Sequence, residues 1–143
     1  MGHSEKDLQE YPISSTDKKT LVKAFLAILS EESVKHETED LTPFECDGLS
    51  AHPQIPMIAV LPENEEQVCH VMKICNDHKV PVVFRGAGTG LSGGAIPYDQ
   101  GVLLVLTKLK SIVQIDPLGR SAVVQPGVRN AAISEATKPY QLY

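Results

Sequence analysis

Beyond Thr16 the apolar residues Leu21, Phe25, Ile28 and Leu29 recur at helical spacing, which predicts a helix, with Ser14 to Thr16 as cap candidates. The polar residues before it have no period and read as a frayed terminus. Residues 37–56 contain Pro43, Gly48, Pro53 and Pro56 and predict a winding connection, in which Asp47-Gly48 is a turn signal. Residues 57–61 form a short apolar run that predicts a buried strand. A second helix is expected next. Asn64 is its N-cap, Gln67 returns the hydrogen bond, and Val68, Val71, Met72 and Cys75 form its apolar face. His70 and His78 fall on its flanks, and Lys79 closes it.

Residues 80–84 predict another buried strand, so that 57–84 reads as strand, helix, parallel strand. A third apolar run covers 101–106. Residues 112–115 and 121–125 alternate around Asp116-Pro-Leu-Gly119 and predict a hairpin. Pro126-Gly127 breaks it, and 128–137 is a short helix with Asn130 as a capping candidate.

Between the strands at 80–84 and 101–106, five of the nine residues after Arg85 are glycine: Gly86, Gly88, Gly90, Gly93 and Gly94. Neither a helix nor a strand tolerates that density cheaply. Backbone without Cβ atoms can instead turn successive N–H groups toward an anion. A pyrophosphate cradle for a dinucleotide is one reading, and a flexible loop or pair of turns is the other. No lysine follows Gly93, so the loop is not a GxxxxGK[ST] phosphate loop. Gly88, Gly90 and Gly93 spell GxGxxG, but Gly94, Pro97, Asp99 and Gly101 deny it the helix that a Rossmann turn requires.

Composition narrows the classes. A chain of 143 residues is the size of one domain. The net charge of −5 with scattered Lys and Arg leaves no basic face for nucleic acid. No apolar run approaches the length of a transmembrane segment, and residues 1–7 lack a secretory signal's apolar segment, so a cytoplasmic location is expected. Three cysteines without CxxC pairing and five unclustered histidines predict neither a disulfide nor a metal site. Asp47 and Asp116 are expected to be solvated turn residues.

Val82-Val-Phe-Arg-Gly-Ala-Gly-Thr-Gly-Leu-Ser-Gly-Gly-Ala95 resembles the pyrophosphate loop of the flavoprotein family that includes vanillyl-alcohol oxidase and para-cresol methylhydroxylase. Glu45-Cys-Asp-Gly-Leu-Ser50 and Val124-Gln-Pro-Gly-Val-Arg-Asn130 are similar to the branch holding the FAD-linked large subunits of bacterial glycolate oxidase and D-lactate dehydrogenases. The resemblance implies an α+β fold: an FAD-binding domain of the para-cresol methylhydroxylase (PCMH) type. Its first α/β subdomain would carry a small parallel sheet, followed by the start of a second subdomain and truncated there. Residues 1–42 would be a tail and helix, and 43–143 the first part of that domain.

The same resemblance implies FAD held by Arg85, Gly86, Ala87, Gly88, Thr89, Gly90, Leu91, Ser92, Gly93 and Gly94, chiefly through backbone N–H groups. Pro126, Gly127 and Val128 would form a second turn facing the cofactor. Arg85 either touches phosphate or braces the loop. Thr89 stands where covalent members carry the flavin-linked histidine, so non-covalent FAD is expected. The implied activity is hydride transfer from a small 2-hydroxy acid to FAD. Electrons would pass to iron–sulfur and second FAD-binding subunits, which could hold the protein at the inner membrane. The family's substrate residues lie beyond the matching part, so no catalytic residue is assigned and glycolate is not separated from D-lactate. A chain that is only a fragment is expected, inactive alone and prone to self-association. A non-catalytic nucleotide-binding module remains the alternative.

Overall fold

The computed structural model describes residues 17–49 and 53–143; the cap candidates Ser14 to Thr16, with Ser50 and His52, lie outside them. The strands are β1 (Val34–Lys35), β2 (Ile58–Val60), β3 (Val82–Arg85) and β4 (Val102–Val105). They form one sheet in the order β1-β2-β4-β3. β4 is parallel to both β2 and β3, and β1 is antiparallel to β2. The expected parallel pair therefore exists, with a later strand inserted between its members.

Alternation along β2 and β4 sends side chains to two buried faces, as expected for a parallel sheet covered on both sides. On one face Ile58, Val60, Val102 and Leu104 pack with Leu21 and Phe25 of α1 (Lys18–Leu26) and Val71 and Cys75 of α3 (Glu65–Asp77). On the other, Ala59, Leu103 and Val105 meet Leu41, Phe44 and Leu61. Leu41 ends the single turn α2 (Thr38–Leu41). Part of the supposed winding connection is thus the cover of the second face. Because α1 shares the first core, the helix before residue 43 belongs to the same packed unit as the sheet.

Local departures from expectation have local causes. α1 stops at Leu26, yet the Leu29 amide still donates to the Phe25 carbonyl at 2.8 Å, and Leu29 stays buried. β3 is an edge strand and Phe84 is half exposed, whereas the central β4 is buried throughout. At α3 the Asn64 side chain accepts from the Gln67 amide at 2.9 Å, the expected cap, worth about 1 kcal/mol. Gln67 returns its bond to the Glu63 amide at 2.7 Å, one residue earlier than a capping box requires.

β5 (Ile112–Asp116) and β6 (Ser121–Val124) form a separate antiparallel hairpin. Asp116 is the exposed turn residue expected, accepting from the Leu118 and Gly119 amides at 3.1 and 2.9 Å. Asn130 does not cap the last helix. It is the first residue of α4 (Asn130–Thr137), and Arg129 holds the cap position without a side-chain bond. No helix of the described residues is long and apolar enough to cross a membrane.

Burial under the sheet pushes the Cys75 thiol up to about 12. At pH 8 its thiolate fraction is about one in ten thousand. Exposed Cys69 should therefore react with a thiol reagent in the folded chain, and Cys75 only at the rate of unfolding. Time-resolved labelling followed by peptide mass analysis checks this; fast labelling of Cys75 would contradict its burial.

Candidate functional site

The glycine loop leaves the C-terminal end of β3, and the turn at 106–111 leaves the C-terminal end of the adjacent β4. Ligands in open α/β sheets gather at that edge. Along the loop only Gly88 and Gly93 have positive φ, +71° and +75°, a region disfavoured for side-chain-bearing residues. Gly90 and Gly94 matter differently: a Cβ on either would enter open space. Among the described residues, no amide from Gly86 to Gly94 donates a hydrogen bond. The exposed Thr89 and Ser92 hydroxyls have no partner there either. The loop thus offers donors unused among the described residues, with open space beside Gly90 and Gly94.

Its other side is walled by residues 44–49. Arg85 Nη1 donates to the Cys46 carbonyl at 2.6 Å, and its guanidinium lies 5.9 Å from the centre of the Phe44 ring. The same group crosses Gly88, where a Cβ would come within 2.2 Å of it. Arg85 is therefore a brace in this structure. A Cβ on Gly48 would stand 2.7 Å from the Gly90 carbonyl oxygen and 2.9 Å from that of Thr89.

Asp47 departs from the sequence expectation. It is not a solvated turn residue: it is 6% exposed and accepts from the Leu49 amide at 2.8 Å and, at a longer 3.4 Å, from the Ala95 amide. The Asp47-Gly48 turn is present, closed by the Leu49 amide on Asp47, but it is pressed against the glycine loop.

The Pro126, Gly127 and Val128 turn rests on the loop after β4. The Gly127 amide donates to the Leu109 carbonyl at 2.8 Å. The Pro126 carbonyl lies beside Gly86, 4.0 Å from where its Cβ would be. Ala87, Thr107, Gly127 and Val128 line an open cleft of about 510 Å³, joined by Lys110 and Arg129. Of the residues expected in the site, the structure brings Ala87, Gly127 and Val128 into this cleft. Thr89, Gly90, Leu91, Ser92, Gly93 and Gly94 extend beyond it, with Leu91 74% exposed. Sequence reasoning missed Lys110 and Arg129. They flank the hairpin on its two sides, and pairing of β5 with β6 brings its ends together. The hairpin prediction itself could have identified them.

The family of the FAD binding domain matches residues 56–143. The chain belongs to this FAD-binding family. Glycolate oxidase subunit GlcD of Escherichia coli (strain K12) is 54% identical over 110 residues, covering 77% of this chain and 22% of the relative. D-lactate dehydrogenase of Archaeoglobus fulgidus is 37% identical over 79 residues, covering 55% of this chain and 18% of that one. A crystal structure of p-cresol methylhydroxylase with substrate bound superposes with a TM-score of 0.74 at 32% identity, covering 87% of this chain and 25% of that one. This FAD-binding chain spans only about a fifth of the length of such curated relatives, 22% in the case of GlcD.

The residues present fit one part of FAD. A diphosphate needs several converging donors and no Cβ in the way, and the loop supplies free amides with open approaches at Gly90 and Gly94. Lys110 and Arg129 add positive charge beside the loop in a chain whose net charge is −5.

Proposed function

We propose that this chain holds the pyrophosphate end of FAD within a 2-hydroxy-acid oxidoreductase of the glycolate oxidase type. The observation that carries the reading is the row of amides from Gly86 to Gly94 that donate to nothing among the described residues, with open space at Gly90 and Gly94. Those amides, with the Thr89 and Ser92 hydroxyls, bind the phosphates. Arg85 keeps the loop against residues 44–49, and Pro126, Gly127 and Val128 face the cofactor from the adjacent turn. Residues 43–143 then form the first part of a PCMH-type FAD-binding domain, with α1 as a supporting helix under its sheet.

When bound, FAD supplies the hydride acceptor for oxidation of a small 2-hydroxy acid. The resemblance to GlcD favours glycolate; D-lactate is the second reading, supported by the D-lactate dehydrogenase relative. Iron–sulfur and second FAD-binding subunits would be the electron-accepting partners, and a cytoplasmic or peripheral inner-membrane location goes with them. This chain's own residues orient and hold the cofactor, and none is assigned a proton or the substrate. Thr89 has no side-chain nitrogen with which to form a histidyl-type bond to a flavin, which supports non-covalent attachment through the loop.

Titration of the 143-residue chain with FAD, followed by flavin fluorescence and gel filtration, tests the reading. Saturable binding displaced by ADP is expected, with all flavin in the supernatant after acid precipitation. A folded chain that binds no FAD would overturn the loop as a self-sufficient site. Flavin retained on the polypeptide would overturn non-covalent attachment.

A further inference from the structure

We infer that Asp47 is a positioning residue for the glycine loop, fixing its curvature from behind so that its free amides converge on the phosphates. This rests on the functional reading above and adds a residue to it that neither the glycine motif nor the second turn contains.

The two ends of the loop are held by one short segment. At its entrance Arg85 Nη1 grips the Cys46 carbonyl at 2.6 Å. At its exit the Ala95 amide points at Asp47 Oδ2, 3.4 Å away. Cys46 and Asp47 are neighbours in sequence, so the loop between Arg85 and Ala95 is closed across a single peptide unit. The other Asp47 oxygen, Oδ1, is engaged by the Leu49 amide at 2.8 Å, which fixes the carboxylate's orientation through its own turn. Gly48 completes the fit, because only a residue without a Cβ lets this segment approach the Thr89 and Gly90 carbonyls so closely. Those carbonyl oxygens thereby lie against the wall side. In a nest, carbonyls held away from the anion go with amides held toward it.

A buried carboxylate is costly to place unless its oxygens are used. Asp47 is 6% exposed and uses one oxygen for its own turn and the other for the loop. An isosteric amide can do only one of these, because its nitrogen is a donor and would face an N–H. Asp47→Asn therefore separates the loop contact from simple turn formation with almost no change in volume. Asp47→Ser, which reaches neither amide in the same way, is the second variant.

Hydrogen exchange of the apo chain, read by NMR at the bonded Ala95 and Ile96 amides and at the amides of β2 and β4, is paired with FAD and ADP titrations. For Asp47→Asn we expect exchange to rise about tenfold at Ala95 and Ile96 and to stay unchanged in the strands. FAD and ADP should weaken by the same factor, about tenfold, the size of one lost charge-assisted bond. Asp47→Ser should do both more strongly. Unchanged exchange at Ala95 and Ile96 would overturn the inference. So would a local rise that leaves both affinities intact, or a rise throughout the sheet, which would mark a merely structural residue. A wild-type chain that binds neither FAD nor ADP would overturn the functional reading, and with it the ligand half of this inference. That result is distinct from an Asp47 variant that loses nothing.

Discussion

Gly90→Val should weaken FAD binding about a hundredfold or more, while the melting temperature of the apo chain stays within about 3 °C of wild type. The two effects separate because a Cβ at Gly90 meets nothing in the protein and would crowd only a ligand held against the loop. Displacing a phosphate oxygen from two charge-assisted hydrogen bonds forfeits about 1.5–3 kcal/mol for each. Gly88→Val is a poorer probe, since it combines a positive φ of +71° with a collision against the Arg85 guanidinium. It would lose binding and stability together. Fluorescence titration beside differential scanning calorimetry distinguishes the two variants. Undiminished affinity in Gly90→Val would place the phosphates elsewhere.

The other large effect is expected at Gly127, with the opposite signature. Its Cβ would lie 2.6 Å from the carbonyl oxygens of both Leu106 and Leu109, and 2.9 Å from that of Thr107. All three are backbone atoms that cannot swing away as a flexible side chain could. Gly127→Ala must therefore push the second turn off the loop after β4 and strain the bond from its amide to Leu109. A cost of about 3 kcal/mol is expected, or a fall of about 10 °C in melting temperature. Gly94→Ala, which meets open space, is the control and should melt like wild type. Urea unfolding of the three chains checks it; equal midpoints would mean that the turn is not seated as described.

The elements carried by periodicity were legible in the sequence. Val71 and Cys75 on α3, the buried run of β4, and the Asp116 turn all stand where spacing puts them. The glycine loop was legible as irregular backbone because its composition is incompatible with regular structure. What escaped was whatever depends on contacts distant in sequence. Nothing local to Asp47 says that it faces Ala95 rather than water, because its Asp-Gly turn would look the same in solvent. Periodicity could not place β4 between β2 and β3 either, and so residues 80–84 looked buried although Phe84 sits on an edge. β1 and α2 were too short, at 2 and 4 residues, for any period to register.

The strand order also sets a sequence of events during synthesis. β3 is made before β4, but among the described residues its only partner in the sheet is β4. As the chain emerges, Arg85 and the loop that follows have no ladder to hang from until residue 105 is available, because β2 does not pair with β3. The chain must close back through the loop and insert its most apolar strand into a waiting gap. That is a non-local step whose entropy cost comes before its contacts form. A ribosome stalled with residues up to about 100 outside the exit tunnel would therefore carry the whole glycine motif with its donors unaligned. A few residues more would complete the central strand. The capacity to hold a diphosphate should thus arrive abruptly with β4 rather than gradually with the glycines.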